Sequence, residues 1–360
     1  MLQNLARGCL AAFLAVLALQ SRAQPPTAPL KVGFVYVTPV FEAGWTRQHD
    51  EGRVAMEKAL GDRVKSTVVD SVAEGPDSER VMRDLAVQGH GLVFATSFGY
   101  LEPALRVASE FPSVKFEHAG GHKTAANVNT YNARYYEGRY LAGLLAGRMS
   151  RSGIAGYVAG FPVPEVIQGI NAFTLGMRAA NPKAQVRVLW LNTWFDPQKE
   201  REAALTLVNQ GADLLTNHSA SPAVAQAAEE KGVMLIGYQS DMRSFAPKAQ
   251  LTSVVHQWGG YYTRVAQSVL AGTWKAQPVW GGMKDGFIAL APLSATVPKD
   301  VAAAVEAKRR AIVSGAFKPF SGRLVDNAGR LRLERGALDD AGIATMNWFV
   351  EGVVGRVPPG

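Results

Sequence analysis

Gln88-Gly89-His90-Gly91-Leu92 closes a helical pattern on a glycine and passes at once into a short β-rich run ending at Ala95. The phrase returns as Gln210-Gly211-Ala212-Asp213-Leu214, again between a helical pattern and an apolar run. Each first glycine stands where a helix needs a left-handed residue before its chain turns into a strand. Working outward from the first copy, strands are expected at 31–37, 64–69, 91–95 and 114–117. Helices are expected at 45–60, 78–88 and 100–110, between those strands. Around the second copy, a helix at 133–150 opens a new series with strands at 154–158, 186–191, 213–216, 233–236 and 251–255. Helices at 166–180, 197–210 and 222–231 separate them. Strands spaced by single helices make right-handed βαβ crossovers and a parallel sheet. The restart makes two such sheets. The chain is therefore expected to be α/β, with two doubly wound parallel-sheet lobes joined by a hinge.

The expected division gives 31–131 with 258–283 to the first lobe, and 132–257 with 284–360 to the second lobe and a C-terminal tail. Gly281-Gly282 marks a further crossing, and the tail reads as helix and hairpin. Gly138, Gly143 and Gly147 fall inside one helix, where they are expected to let it pack closely on a sheet.

Residues 1–23 read differently. Arg7 precedes an unbroken apolar run at 9–19, and Ser21-Arg22-Ala23 follows as a small-x-small cleavage site. This is the design of a cleavable export signal, too short for a permanent membrane span. Cys9, the single cysteine of the 360 residues, begins the apolar run; the modified cysteine of a lipoprotein would follow it. Free export to the periplasm is expected, without disulfide or lipid anchor. The formal net charge of +8 is diffuse, with no run of five or six like charges, so no nucleic-acid partner is expected. With 48% hydrophobic residues the chain has ample material for a core.

Ligands of doubly wound sheets lie beyond the carboxyl ends of the strands. Those ends carry Trp45, Thr46, Ser97, Phe98, Trp194, Asn217, His218, Ser221, Asp241 and Trp258. One tryptophan after a strand serves a core as readily as a ligand. Trp45 and Trp194, at corresponding ends in opposite lobes, can instead stack on both faces of a flat ring. Asp241, beside Gln239 and Ser240, is a candidate acceptor for ligand N–H groups, or else a helix cap. His118, His122 and His218 share no metal-ligand spacing, so no metal or cofactor is expected. The chain lacks a G-x-S-x-G elbow, a Walker A loop, and a G-x-G-x-x-G after its first strand, so binding is expected rather than catalysis.

Several phrases resemble the Bmp/Med-type family of ABC-transporter substrate-binding proteins, some members of which are purine nucleoside receptors. They are Val32-Gly33-Phe34-Val35-Tyr36, Gly44-Trp45, Tyr135-Tyr136-Glu137-Gly138-Arg139-Tyr140, Phe161-Pro162-Val163-Pro164-Glu165, Trp194-Phe195-Asp196-Pro197, Ser240-Asp241 and Leu251-Thr252-Ser253-Val254-Val255. The resemblance implies the fold of a type I periplasmic binding protein. It also implies a purine sandwiched by Trp45 and Trp194 with Asp241 accepting from it, and an inner-membrane permease and ATPase as partners of a monomer. Phe41-Glu42-Ala43-Gly44-Trp45-Thr46 departs from the acidic, Asn-containing first loop of nucleoside receptors. A bulkier ring and fewer ribose partners point to a free base of the adenine type, with nucleoside or sugar as alternatives. An exported α/β enzyme acting on nucleosides is the alternative from another class; it would need clustered carboxylates after the first strand, and Thr38-Pro39-Val40 has none.

Overall fold

A computed structural model describes residues 28–358. The expected export signal and Cys9 lie outside the described residues. The first series comprises β1 (Leu30–Val35), α1 (Trp45–Leu60), β2 (Val64–Val69), α2 (Pro76–Val87), β3 (Leu92–Ala95), α3 (Leu101–Glu110), β4 (Lys115–Ala119) and β5 (Val128–Ala133). After α4 (Tyr135–Met149) comes the second series. It contains β6 (Ile154–Ala159), α5 (Pro164–Ala180), β7 (Gln185–Trp190), α6 (Pro197–Asn209), β8 (Leu214–His218), α7 (Ala223–Lys231), β9 (Met234–Gln239) and β10 (Gln250–His256). The chain then returns to the first lobe, where α8 (Gly259–Leu270) packs on α1 and β11 (Val279–Gly281) pairs with β5. It crosses back to lay β12 (Ile288–Leu290) against β10. Beyond are α9 (Lys299–Val313), the hairpin β13 (Leu324–Val325) and β14 (Leu331–Leu333), α10 (Asp340–Ala344) and β15 (Val353–Val354).

The two sheets share one plan. Their strand orders are β2-β1-β3-β4-β5-β11 and β15-β7-β6-β8-β9-β10-β12. In each, the series reads second, first, third, fourth, fifth from one side, and its members run parallel. Two doubly wound α/β lobes are therefore present. Their strands are buried on both faces, as helix-covered sheets require: Val32 and Phe34 on one face with Val35 and Val93 on the other in the first lobe, and Val158, Leu214 and Ile236 in the second, are fully buried. An edge strand departs from the expected parallel plan. β12 is antiparallel to β10, because the chain arrives from the opposite lobe and not through a crossover helix.

The repeated phrase has the expected geometry. Gly89 and Gly211 adopt φ of +82° and +94°. In both copies the next residue's N–H reaches back to a carbonyl of the last helical turn, His90 to Leu85 and Ala212 to Leu207. The glycines of α4 act otherwise than expected. A Cβ on Gly143 would lie 1.9 Å from the carbonyl oxygen of Phe173, and one on Gly147 2.2 Å from that of Met177, both in α5. These glycines permit helix-on-helix contact; only Gly138 meets the sheet, at Val254 and Ile288.

Candidate functional site

In each sheet the first strand lies between the second and third, so successive crossovers leave it in opposite directions. That reversal opens a crevice beyond the strand ends. The two crevices face each other across one narrow cavity with about 390 Å3 of empty space, its mouth included. Val37 reaches it from the loop after β1, Trp45 from the first position of α1, and Ser97 and Phe98 from the residues after β3. Glu165 follows β6, Trp194 follows β7, His218, Ser219 and Ala220 come from the end of β8, and Gln239 ends β9.

Trp45 is held as a rigid wall. Its indole Nε1–H donates to the Thr96 carbonyl at 2.6 Å, which fixes the ring and occupies its one donor. His49, His256 and Trp258 abut it edge-on, with centroids 4.5, 5.7 and 6.3 Å away. Trp194 is braced by Phe161 in a T-shaped contact at 4.9 Å. Both indoles are half-buried and line the cavity, and an indole face is the surface that stacking on a flat ligand uses.

Of the expected site residues, Trp45, Ser97, Phe98, Trp194 and His218 line this cavity; the other five do not. The Thr46 hydroxyl is paired with that of Thr38 at 2.6 Å. Asn217 turns its amide to Ser219. The Ser221 hydroxyl accepts from Ala223 N, and its own N–H donates to Glu200. Trp258 is core, stacked on His49 behind Trp45. Asp241 is exposed, and its Oδ1 accepts from Arg243 N and from Gln250 Nε2 at 2.6 Å; it ties a turn.

Five lining residues lie outside the expected set, Val37, Glu165, Ser219, Ala220 and Gln239, and two of them bear on the site's chemistry. Gln239 is buried at φ +70°, a strained position for a non-glycine residue, and its Oε1 has no partner. Glu165 stands in the first turn of α5, and burial pushes its carboxyl group up to about 7. Both follow strand ends, and the rule that singled out the other candidates reaches them as well. Burial holds His218 well below its ordinary range, with the Arg139 guanidinium adding to the effect, so the imidazole is neutral. Arg139 itself is fully buried, donating to Thr216 Oγ1 and to the Asn217 carbonyl. Among the described residues no group of three or more His, Cys, Asp or Glu side chains is placed to hold a metal ion.

Two doubly wound lobes with an aromatic-walled cavity between their switch points define a two-lobed ligand-binding protein. Residues 30–318 match the family model described as ABC transporter substrate-binding protein, PnrA-like, and the chain belongs to that family, Bmp. It is 48% identical over 330 residues to a purine-binding protein of Brucella abortus, covering 91% of this chain and 94% of that one. It is 36% identical over 329 residues to a putative ABC transporter glucose-binding protein of Haloferax volcanii, covering 91% and 81%. A solved ABC-transporter solute-binding protein from Conexibacter woesei superposes with a TM-score of 0.66 at 27% identity, covering 80% of this chain and 98% of that one.

Proposed function

We propose that this protein binds a purine, as free base in preference to nucleoside, and hands it to the permease and ATPase of an ABC importer. The observation that carries the reading is the pair Trp45 and Trp194, which enter one narrow cavity from opposite lobes. A flat aromatic ligand between two indoles gains on both faces, on the order of 1–3 kcal/mol for each. The purine-binding relative supports the same ligand class. Closure of the lobes on the ligand is the signal for the transporter, because a ligand shifts a hinge equilibrium by as much as it prefers the closed state. The reading includes export through cleavage near Ala23, a periplasmic location, a monomer, and binding without catalysis.

The test has two stages. Mass spectrometry of small molecules released on denaturing the purified protein is expected to detect a purine. Calorimetric titration with adenine, adenosine and glucose is then expected to rank adenine first. Glucose binding with no response to either purine would replace this reading with that of the Haloferax relative's name.

A further inference from the structure

Among the described residues Glu165 is the single acidic one of the cavity lining, and its side chain, 14% exposed, pairs with no lysine or arginine of them. Oε2 accepts one hydrogen bond, from Asn132 Nδ2 at 3.3 Å. His218 Nε2 lies 3.9 Å from Oε1, beyond hydrogen-bond reach. An ionised carboxylate has about four acceptor positions, so this one keeps unused capacity inside a site it shares with two indole faces. Glu165 and Phe98 also border a second, largely apolar cavity, lined further by His122, Asn132, Gln168 and Trp280. Glu165 thus stands between the two spaces and shares the first of them with both tryptophans.

We propose that Glu165 is the specificity-determining carboxylate of the cleft, its Oε1 accepting an N–H from the rim of the base stacked between Trp45 and Trp194. This rests on the purine reading and moves to Glu165 the role expected of Asp241. A free base carries an imidazole N–H in addition to any exocyclic amino group, whereas a nucleoside has lost that N–H to the sugar. A carboxylate acceptor at the ring's edge therefore favours the free base. The bond is charge-assisted and water-excluded, so its loss is costly.

The groups facing Glu165 fix how pH enters. Tyr135 approaches from α4, His218 from β8 and Tyr238 from β9, with Arg139 of α4 lying over the Tyr238 ring, and His122 is exposed across the second cavity. Burial holds both tyrosines protonated and His218 neutral. Glu165, raised to about 7, must lose its proton to accept an N–H. Adenine affinity therefore rises as pH climbs through about 7.

The experiment titrates adenine by calorimetry at several pH values on either side of about 7, in a His122→Asn background. In that background Glu165→Ala is expected to weaken adenine at least about tenfold. Glu165→Gln, which keeps an acceptor oxygen and introduces no buried charge, is expected to fold normally, bind moderately and lose the pH dependence. Unchanged affinity in Glu165→Ala, or an intact pH profile in Glu165→Gln, overturns the assignment while leaving the purine reading standing. A parent protein that binds neither adenine nor adenosine overturns both.

Discussion

The ring of Phe41 lies stacked on that of Phe195, centroids 5.2 Å apart and planes 18° apart, although the two belong to loops of different lobes. Close by, Gly44 N donates to Ser240 Oγ at 2.7 Å, a second link between the lobes. Gly44 sits at φ +97°, and a Cβ there would lie 2.4 Å from the Ala220 carbonyl oxygen. Together these contacts form a latch at the rim of the cleft. Phe41 is an exposed side chain with little core to support, so truncating it acts on the lobe equilibrium more than on the fold. An aromatic pair of this kind contributes about 0.5–1.5 kcal/mol. Phe41→Ala is expected to speed ligand release roughly two- to tenfold with an unchanged melting temperature in the ligand-free protein. Stopped-flow dissociation measures this, and an unaltered off-rate would remove the latch.

In the proposed function the tryptophan pair carries the ligand's flat faces. Trp45→Ala and Trp194→Ala are each expected to cost about 1–3 kcal/mol of purine binding. Trp45 is embedded among His49, His256 and Trp258, so its removal also loosens the wall and lowers stability more than removal of Trp194. Titrated affinity and denaturant midpoints on the same samples separate the two effects. Equal midpoints with unequal affinities would show that the wall does not depend on Trp45.

Asp241 and Gln239 exchange the roles their order in the chain suggests. Asp241 ties a turn at the surface, whereas Gln239 faces the cavity with an unpartnered oxygen. Asp241→Ala is expected to leave purine affinity within about twofold and to cost roughly 0.5–1.5 kcal/mol of stability through the lost Gln250 bond. Gln239→Ala should weaken the ligand severalfold and keep the strain of the positive φ, because alanine retains the Cβ that causes it. An Asp241→Ala variant with tenfold weaker binding would restore that carboxylate to the site.

The duplicated fold was legible because its signal is local. Gly89 and Gly211 terminate helices by backbone geometry, and strand periodicity marks each βα step. That Trp45 and Trp194 stand beyond strand ends was legible for the same reason, since strand ends are found once strands are. What separates Trp45 from Trp258, or Gln239 from Asp241, is not local. It depends on which way a chain turns after its last strand residue and on what the other lobe places against it. Ser221 and Asn217 have suitable chemistry, yet the Asn217 amide is spent on Ser219 in the same loop, and Ser221 is tied to Ala223 N and to Glu200 of α6. Residues 353–354 form β15 solely by pairing with β7, a contact between distant parts of the chain that no two-residue pattern announces.

Buried acids set the pH response of the fold itself, and Glu117 shows the sign. It is fully buried, with Tyr261 and Asn129 donating to Oε2 at 2.6 and 3.1 Å and Trp274 to Oε1 at 2.8 Å. Burial pushes its carboxyl group up to about 7, and the three hydrogen bonds only partly oppose that rise. Between the ordinary carboxylate range and about 7, the folded chain holds a proton that the unfolded chain has released. Stability therefore falls as pH rises across that window, and levels off above it once both states are ionised. One such group accounts for roughly 3 kcal/mol over the whole interval. Glu165 and Glu200 shift in the same direction, so the wild-type slope is a sum. Glu117→Gln removes one contributor. Its unfolding free energy is expected to lie near wild type at about pH 5 and to decline less by about pH 8. Urea titrations at the two pH values decide the matter: parallel losses in wild type and variant would mean that Glu117 is ionised in the fold throughout, its three donors outweighing burial.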